Sequence, residues 1–138
     1  FCVKLYGMHW LMMLRSYADQ LLENNPGLTE KVVLGALYRL FDVSEGPPPT
    51  TLQQVKYPSP DDPHPGEASV RERKIATARD AAGEIPVVAL EHGYGPPADF
   101  ARRIETAYRA SGNRIWINRY GYLSDEKLAT IGGLSPGE

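Results

Sequence analysis

The chain of 138 residues is 42% hydrophobic and 23% charged, the make-up of a globular domain with enough apolar material for a core. Its formal net charge is −2 with acids and bases interspersed, so there is no basic field to gather phosphates and no nucleic-acid partner is expected. The one cysteine, Cys2, has no partner for an internal disulfide, and no apolar run approaches the length of a membrane span.

The sequence opens at Phe1 already inside a strand-like run, without a Met, a turn or a cap, which leads to the expectation of a preceding portion. Phe1 to Tyr6 reads as a buried strand, and Gly7 lets the backbone turn before Met8, His9 and Trp10 in the following loop. Leu11, Leu14, Tyr17, Ala18, Leu21 and Leu22 recur at helical spacing up to Glu23, and Asn24-Asn25-Pro26-Gly27 stops that helix. Thr29 then suits an N-cap, with Val32, Val33, Ala36, Leu37 and Leu40 as the apolar stripe of a second helix ending near Phe41.

Gly46 to Pro65 carries seven prolines, which excludes helix and predicts a long extended surface loop. Helix returns from Ala68 to Ala82, with Val70, Ile75, Ala78 and Ala81 inward and Arg71, Glu72, Arg73 and Lys74 in water. The apolar run Ile85 to Leu90 predicts a strand covered on both faces, followed by a loop from Glu91 to Pro97. Ala98 to Ser111 reads as an amphipathic helix, Arg114 to Asn118 as a strand, and Ser124 as the N-cap of a short last helix ending near Gly132. Ser135 to Glu138 reads as a loose end.

Strands alternating with helices imply an α/β fold with parallel pairing through crossovers, taken as a single domain over residues 1–138. Three strands leave two open sheet edges, which predicts self-association. A complete (β/α)8 barrel takes about 250 residues, so the chain is expected to supply a partial one.

In such sheets ligands gather at the C-terminal strand ends. Here these ends carry Tyr6-Gly7-Met8-His9-Trp10, then Glu91-His92-Gly93-Tyr94, then Trp116-Ile117-Asn118-Arg119-Tyr120. Aromatic rings beside carboxylate, amide and guanidinium groups suit a sugar, whose C–H faces stack while its hydroxyls take directed hydrogen bonds. Glu91, directly after an apolar strand, is the candidate catalytic carboxylate, as nucleophile or base; its alternative role is an ion pair with Arg119 or Lys4. The candidate substrate-binding residues are Tyr6, His9, Trp10, His92, Tyr94, Trp116, Asn118, Arg119 and Tyr120.

His9 and His92 suit a proton shuttle, a substrate donor or a metal ligand, and with Glu91 they make a two-His, one-carboxylate set; its spacing matches no established metal motif, so a substrate-binding or loop-ordering role ranks first. Trp10 and Trp116 serve as stacking platforms or as core filling, and Tyr120 as a ligand contact or as packing over the strand ends. Alternation lets only one of Trp116 and Ile117 point into a barrel. Asp61, Asp62 and His64, lying among prolines, read as solvated loop residues. No Gly-rich phosphate loop or Gly-x-Ser-x-Gly elbow is present, and neither a cofactor nor a metal is expected.

The strand ends Lys4-Leu5-Tyr6-Gly7-Met8-His9-Trp10, Val87-Val88-Ala89-Leu90-Glu91-His92-Gly93-Tyr94-Gly95 and Ile115-Trp116-Ile117-Asn118-Arg119-Tyr120-Gly121 together resemble the last third to half of glycoside-hydrolase-type (β/α)8 (TIM) barrels. In the large retaining clan of that type, a glutamate ending the seventh strand is the nucleophile and a tryptophan ending the eighth lines the sugar subsite. The resemblance gives these roles to Glu91 and Trp116 and implies a hydrolase acting on carbohydrate. The clan's general acid ends its fourth strand, which has no counterpart here, so the chain by itself is expected to be inactive. Two other readings stay open: a sugar isomerase or aldolase-like barrel using His9, Glu91 and His92, and a sugar-binding module without chemistry.

Overall fold

The computed structural model describes residues 1–134. In chain order it contains β1 (Cys2–Lys4), α1 (Gly7–Asn24), α2 (Glu30–Phe41), α3 (Ala68–Ala82), β2 (Val88–His92), α4 (Pro97–Ala110), β3 (Ile115–Asn118) and α5 (Asp125–Gly132), with 3-10 turns at Leu52–Gln54 and Tyr120–Tyr122. The strands form one parallel sheet in the order β1-β2-β3, so the α/β alternation expected from the sequence is present.

Local chemistry accounts for several boundaries. Thr29 caps α2 by accepting a hydrogen bond from the Val32 amide, and Ser124 caps α5 by accepting from the Lys127 amide. The prolines keep the loop out of α-helix, yet Thr51 and Gln54 form a capping box around one 3-10 turn within it.

Several boundaries differ from the sequence reading, β1 among them, which covers Cys2–Lys4 and not Phe1 to Tyr6. Helix α1 starts at Gly7, so His9 and Trp10 stand in its first turn and not in a loop. Strand β2 starts at Val88 and runs through His92, so Glu91 and His92 are strand residues. Pairing decides this: Glu91 stands opposite Ile117 and His92 opposite Asn118, which carries the ladder past the apolar run.

Register also assigns the faces of the sheet. Val3, Leu5, Ala89 and Ile115 pack with Ile75 of α3 and Ala107 of α4, so both crossover helices cover one face. Lys4, Leu90 and Trp116 form a row on the other face, where Lys4 and Trp116 are exposed. Helices α1 and α2 make a second apolar cluster of Leu14, Ala18, Val33, Leu34 and Leu37, closed by Val43 and Val55 of the long loop. The stripe expected on α2 is rotated: Val33 and Leu37 are buried, while Val32 is 58% and Leu40 76% exposed.

Candidate functional site

All three strands end at one edge, and the chain's three histidines meet there. The His92 ring lies 3.8 Å from the Tyr6 ring, 5.6 Å from His9, 6.4 Å from His64 and 5.0 Å from Tyr94. Tyr94 in turn meets Tyr122 edge-on at 4.5 Å. Asn118 donates to the Tyr6 hydroxyl at 3.1 Å, joining the end of β3 to the start of α1. Tyr6, His9, His92, Tyr94 and Asn118, expected from the sequence to share a site, are thus brought together. The rings of Tyr6, His9 and Tyr94 pack around that of His92, which is buried while the three are half-buried.

Arg119 follows directly with an exposed side chain and a left-handed backbone, φ 68°, and its amide donates to the Asn118 side-chain oxygen at 2.6 Å. Tyr120 is 75% and Trp116 60% exposed, so both rings are open to a ligand. Trp10 is placed elsewhere. It is half-buried against the α1–α2 cluster and Gly66 and lies 4.9 Å beneath the Lys74 ammonium, contacts of the kind expected of filling.

Glu91 stands at a strand end as expected, but alternation turns it toward the helices, on the face opposite Trp116. Its side chain is 1% exposed, with Oε1 accepting from Arg71 Nε and Oε2 from Arg103 Nη1, both at 2.9 Å. The partners are therefore not the Arg119 or Lys4 considered from sequence. Burial pushes the Glu91 carboxyl up from its ordinary range, and the two guanidiniums pull it back. Both oxygens are bonded as acceptors from permanent cations, so the ionised form is the one this geometry satisfies.

The arginines extend the network. Arg103 also bonds Asp99 at 2.8 Å and the carbonyls of His92 and Tyr94, and Asp99 accepts from Arg102 at 2.7 Å and from the His64 amide at 3.2 Å. Arg71 donates to the carbonyls of Pro65 and Gly66. The network therefore ties the proline-rich loop to the end of β2 and sets the wall on which His64 and His92 stand.

Arg71 and His64 correct the sequence reading, which left both in water, and Arg103 was not singled out at all. Arg103 lies three residues after Phe100 and four before Ala107, both fully buried, so a cation within the apolar stripe of α4 was the available signal. For His64 there was none, because its burial depends on a loop folding back across the chain.

His64 Nε2 and His92 Nδ1 are buried without a hydrogen-bond partner among the described residues. Burial first, and then the Arg103 charge, lowers the His64 pKa to about 3. Burial, followed by the charges of His9, Arg119 and Arg103, lowers that of His92 to about 4. Both imidazoles are thus neutral at pH 7. No group of three or more His, Cys, Asp or Glu side chains suited to a metal ion occurs among the described residues. A hollow of about 700 Å³ is lined by Pro47, Pro48 and Pro49 with Leu11, Tyr38 and Val43, and reaches Pro65 and Gly66 of the loop that carries His64.

No protein-family model matches the chain, and neither a curated protein nor a solved structure matches it.

Proposed function

We propose that the chain presents a carbohydrate-binding surface at the C-terminal ends of its strands, in the manner of the closing βα units of a (β/α)8 barrel of glycoside-hydrolase type. The carrying observation is the pair of exposed rings, Trp116 and Tyr120, flanking the hydrogen-bonding side chains of Asn118 and Arg119. Flat rings gain from covering the C–H face of a pyranose, and amide and guanidinium groups supply directional donors to its oxygens. Tyr6, His9 and Tyr94, at the rim around buried His92, complete a surface on which a sugar can lie.

This favours the sugar-binding reading over hydrolysis by this chain alone. A nucleophile must reach an anomeric carbon, and Glu91 has both oxygens held and 1% exposure. The isomerase reading asks the same carboxylate to reach an open-chain sugar. In our reading Glu91 is a positioning residue that, through Arg71 and Arg103, fixes the wall behind His92.

The test is binding of the full chain to a panel of neutral and acidic oligosaccharides, with turnover of aryl glycosides followed in parallel. Binding without turnover, weakened about tenfold or more by Trp116→Ala, is the expected result. Failure to bind any member would overturn the proposal, and turnover abolished by Glu91→Gln in a folded variant would restore the hydrolase reading.

A further inference from the structure

The two buried carboxylates near the strand ends are both paired. Glu91 is enclosed by Arg71 and Arg103, and Asp99 is engaged by Arg102, Arg103 and the His64 amide. Asp61, an exposed carboxylate of the neighbouring loop, acts on Lys127 and not on His92. Asp62, Asp125 and Glu126 on the adjoining loops are exposed as well, and so are two cations at the strand ends themselves. Arg119 and Lys4 are exposed, and neither makes an ion pair among the described residues.

Two further features carry the same sign. Helix α1, 18 residues long, begins at Gly7 with no side-chain cap and no acidic residue in its first turn, so its own residues supply no negative charge to the positive end of its dipole. This end adjoins the ring cluster, since Tyr6 precedes it and His9 belongs to its first turn. The permanent charges acting on the buried His92 are the guanidiniums of Arg119 and Arg103.

Arg119 is also held in place. A bulky residue at φ 68° is strained, and such a conformation persists only where its surroundings enforce it. Here the Asn118 side chain accepts from the Arg119 amide, and the Arg119 carbonyl accepts from the Tyr122 amide at 3.0 Å. The result is a fixed backbone beneath an exposed guanidinium, in a segment that also carries the exposed rings of Trp116 and Tyr120.

We infer that the ligand is an acidic carbohydrate, whose carboxylate is taken by the Arg119 guanidinium while the sugar ring lies on the neighbouring aromatics. The inference rests on the carbohydrate reading and narrows it. A guanidinium fork matches a carboxylate with two parallel hydrogen bonds, a geometry that a neutral hydroxyl does not reproduce.

Calorimetric titration of the full chain with trigalacturonate and with its fully methyl-esterified form isolates the charge on one sugar. We expect the acid to bind at least about tenfold more tightly, with an advantage that shrinks as salt is raised. Arg119→Gln should remove the advantage, and Arg119→Lys should keep part of it. Because the side chain is exposed, neither change should alter the unfolding midpoint. Equal binding of acid and ester would overturn the acidic ligand and leave the carbohydrate reading standing. Binding of neither would overturn the acidic ligand, and the wider panel would then judge the carbohydrate reading on its own. An advantage undiminished in Arg119→Gln would overturn the role of Arg119.

Discussion

A carboxylate can attack only what can reach it, and each oxygen of Glu91 already accepts a guanidinium hydrogen bond at 2.9 Å. Removing its charge leaves buried Arg71 without an ion-pair partner and Arg103 with Asp99 alone, and breaking a buried pair from one side costs about 3–5 kcal/mol. Glu91→Gln should therefore lower the urea midpoint by an amount equivalent to about 3 kcal/mol; a midpoint within error of wild type would show that Glu91 does not hold this wall. The histidines give a prediction with the sign of pH. In the fold His64 titrates at about 3 and His92 at about 4, against 6.5 for free histidine, so below pH 6.5 the unfolded chain binds more protons than the folded one. Their neutral burial therefore erodes stability as pH falls from 6.5 through about 4 and 3, and contributes no pH dependence above that window. The groups acting on His64 are Arg103, Asp99, His92 and Arg71, and those on His92 are His9, Arg119 and Arg103. Denaturant melts of wild type and His64→Gln between pH 7 and pH 4 should show the variant losing less stability on acidification; parallel curves would contradict the assignment.

At the level of elements, chain neighbours wrote the helix starts and distant partners wrote the strand ends. Thr29 and Ser124 were legible as caps because each acts on an amide three residues away. The limits of β2 were not, since an apolar run signals that a strand exists and not where its ladder stops. Glu91 and His92 belong to β2 because Ile117 and Asn118 stand opposite them. The burial of Arg71 was equally hidden, as a cation on a helix ordinarily faces water and this one is drawn inward by Glu91. Of the candidate site, the grouping at the strand ends was readable from the βα alternation. The face each side chain takes was not, because a shift of one residue reverses it. The entry to α1 makes a local prediction. A Cβ on Gly7 would stand 2.6 Å from the Pro65 carbonyl oxygen, a backbone atom that cannot rotate aside. Alanine at a helical position ordinarily gains about 1 kcal/mol over glycine, but the clash should outweigh that gain and leave Gly7→Ala destabilised by about 1–3 kcal/mol in a chemical melt. A variant as stable as wild type would mean that the loop and α1 are not so closely fitted.

Over the whole described molecule, both crossover helices sit on one face of the sheet. The other face is left open at Lys4 and Trp116, and β1 and β3 have unpaired outer edges. Buried parallel sheets are covered on both faces, so we propose that the chain associates with itself through these surfaces. Sedimentation velocity should show a mass that rises with concentration, whereas a monomer at every concentration would speak against it. The open face also bears the ring of Trp116, so association and sugar binding should compete. If the strand ends, with Arg119 at their rim, form the ligand surface, adding trigalacturonate to the full chain should move the amide and side-chain NMR signals of His9, Trp116, Asn118, Arg119 and Tyr120 and leave those of Pro47 to Thr50 in place. Shifts confined to that proline-lined hollow, or no shifts at all, would show that the strand ends are not that surface.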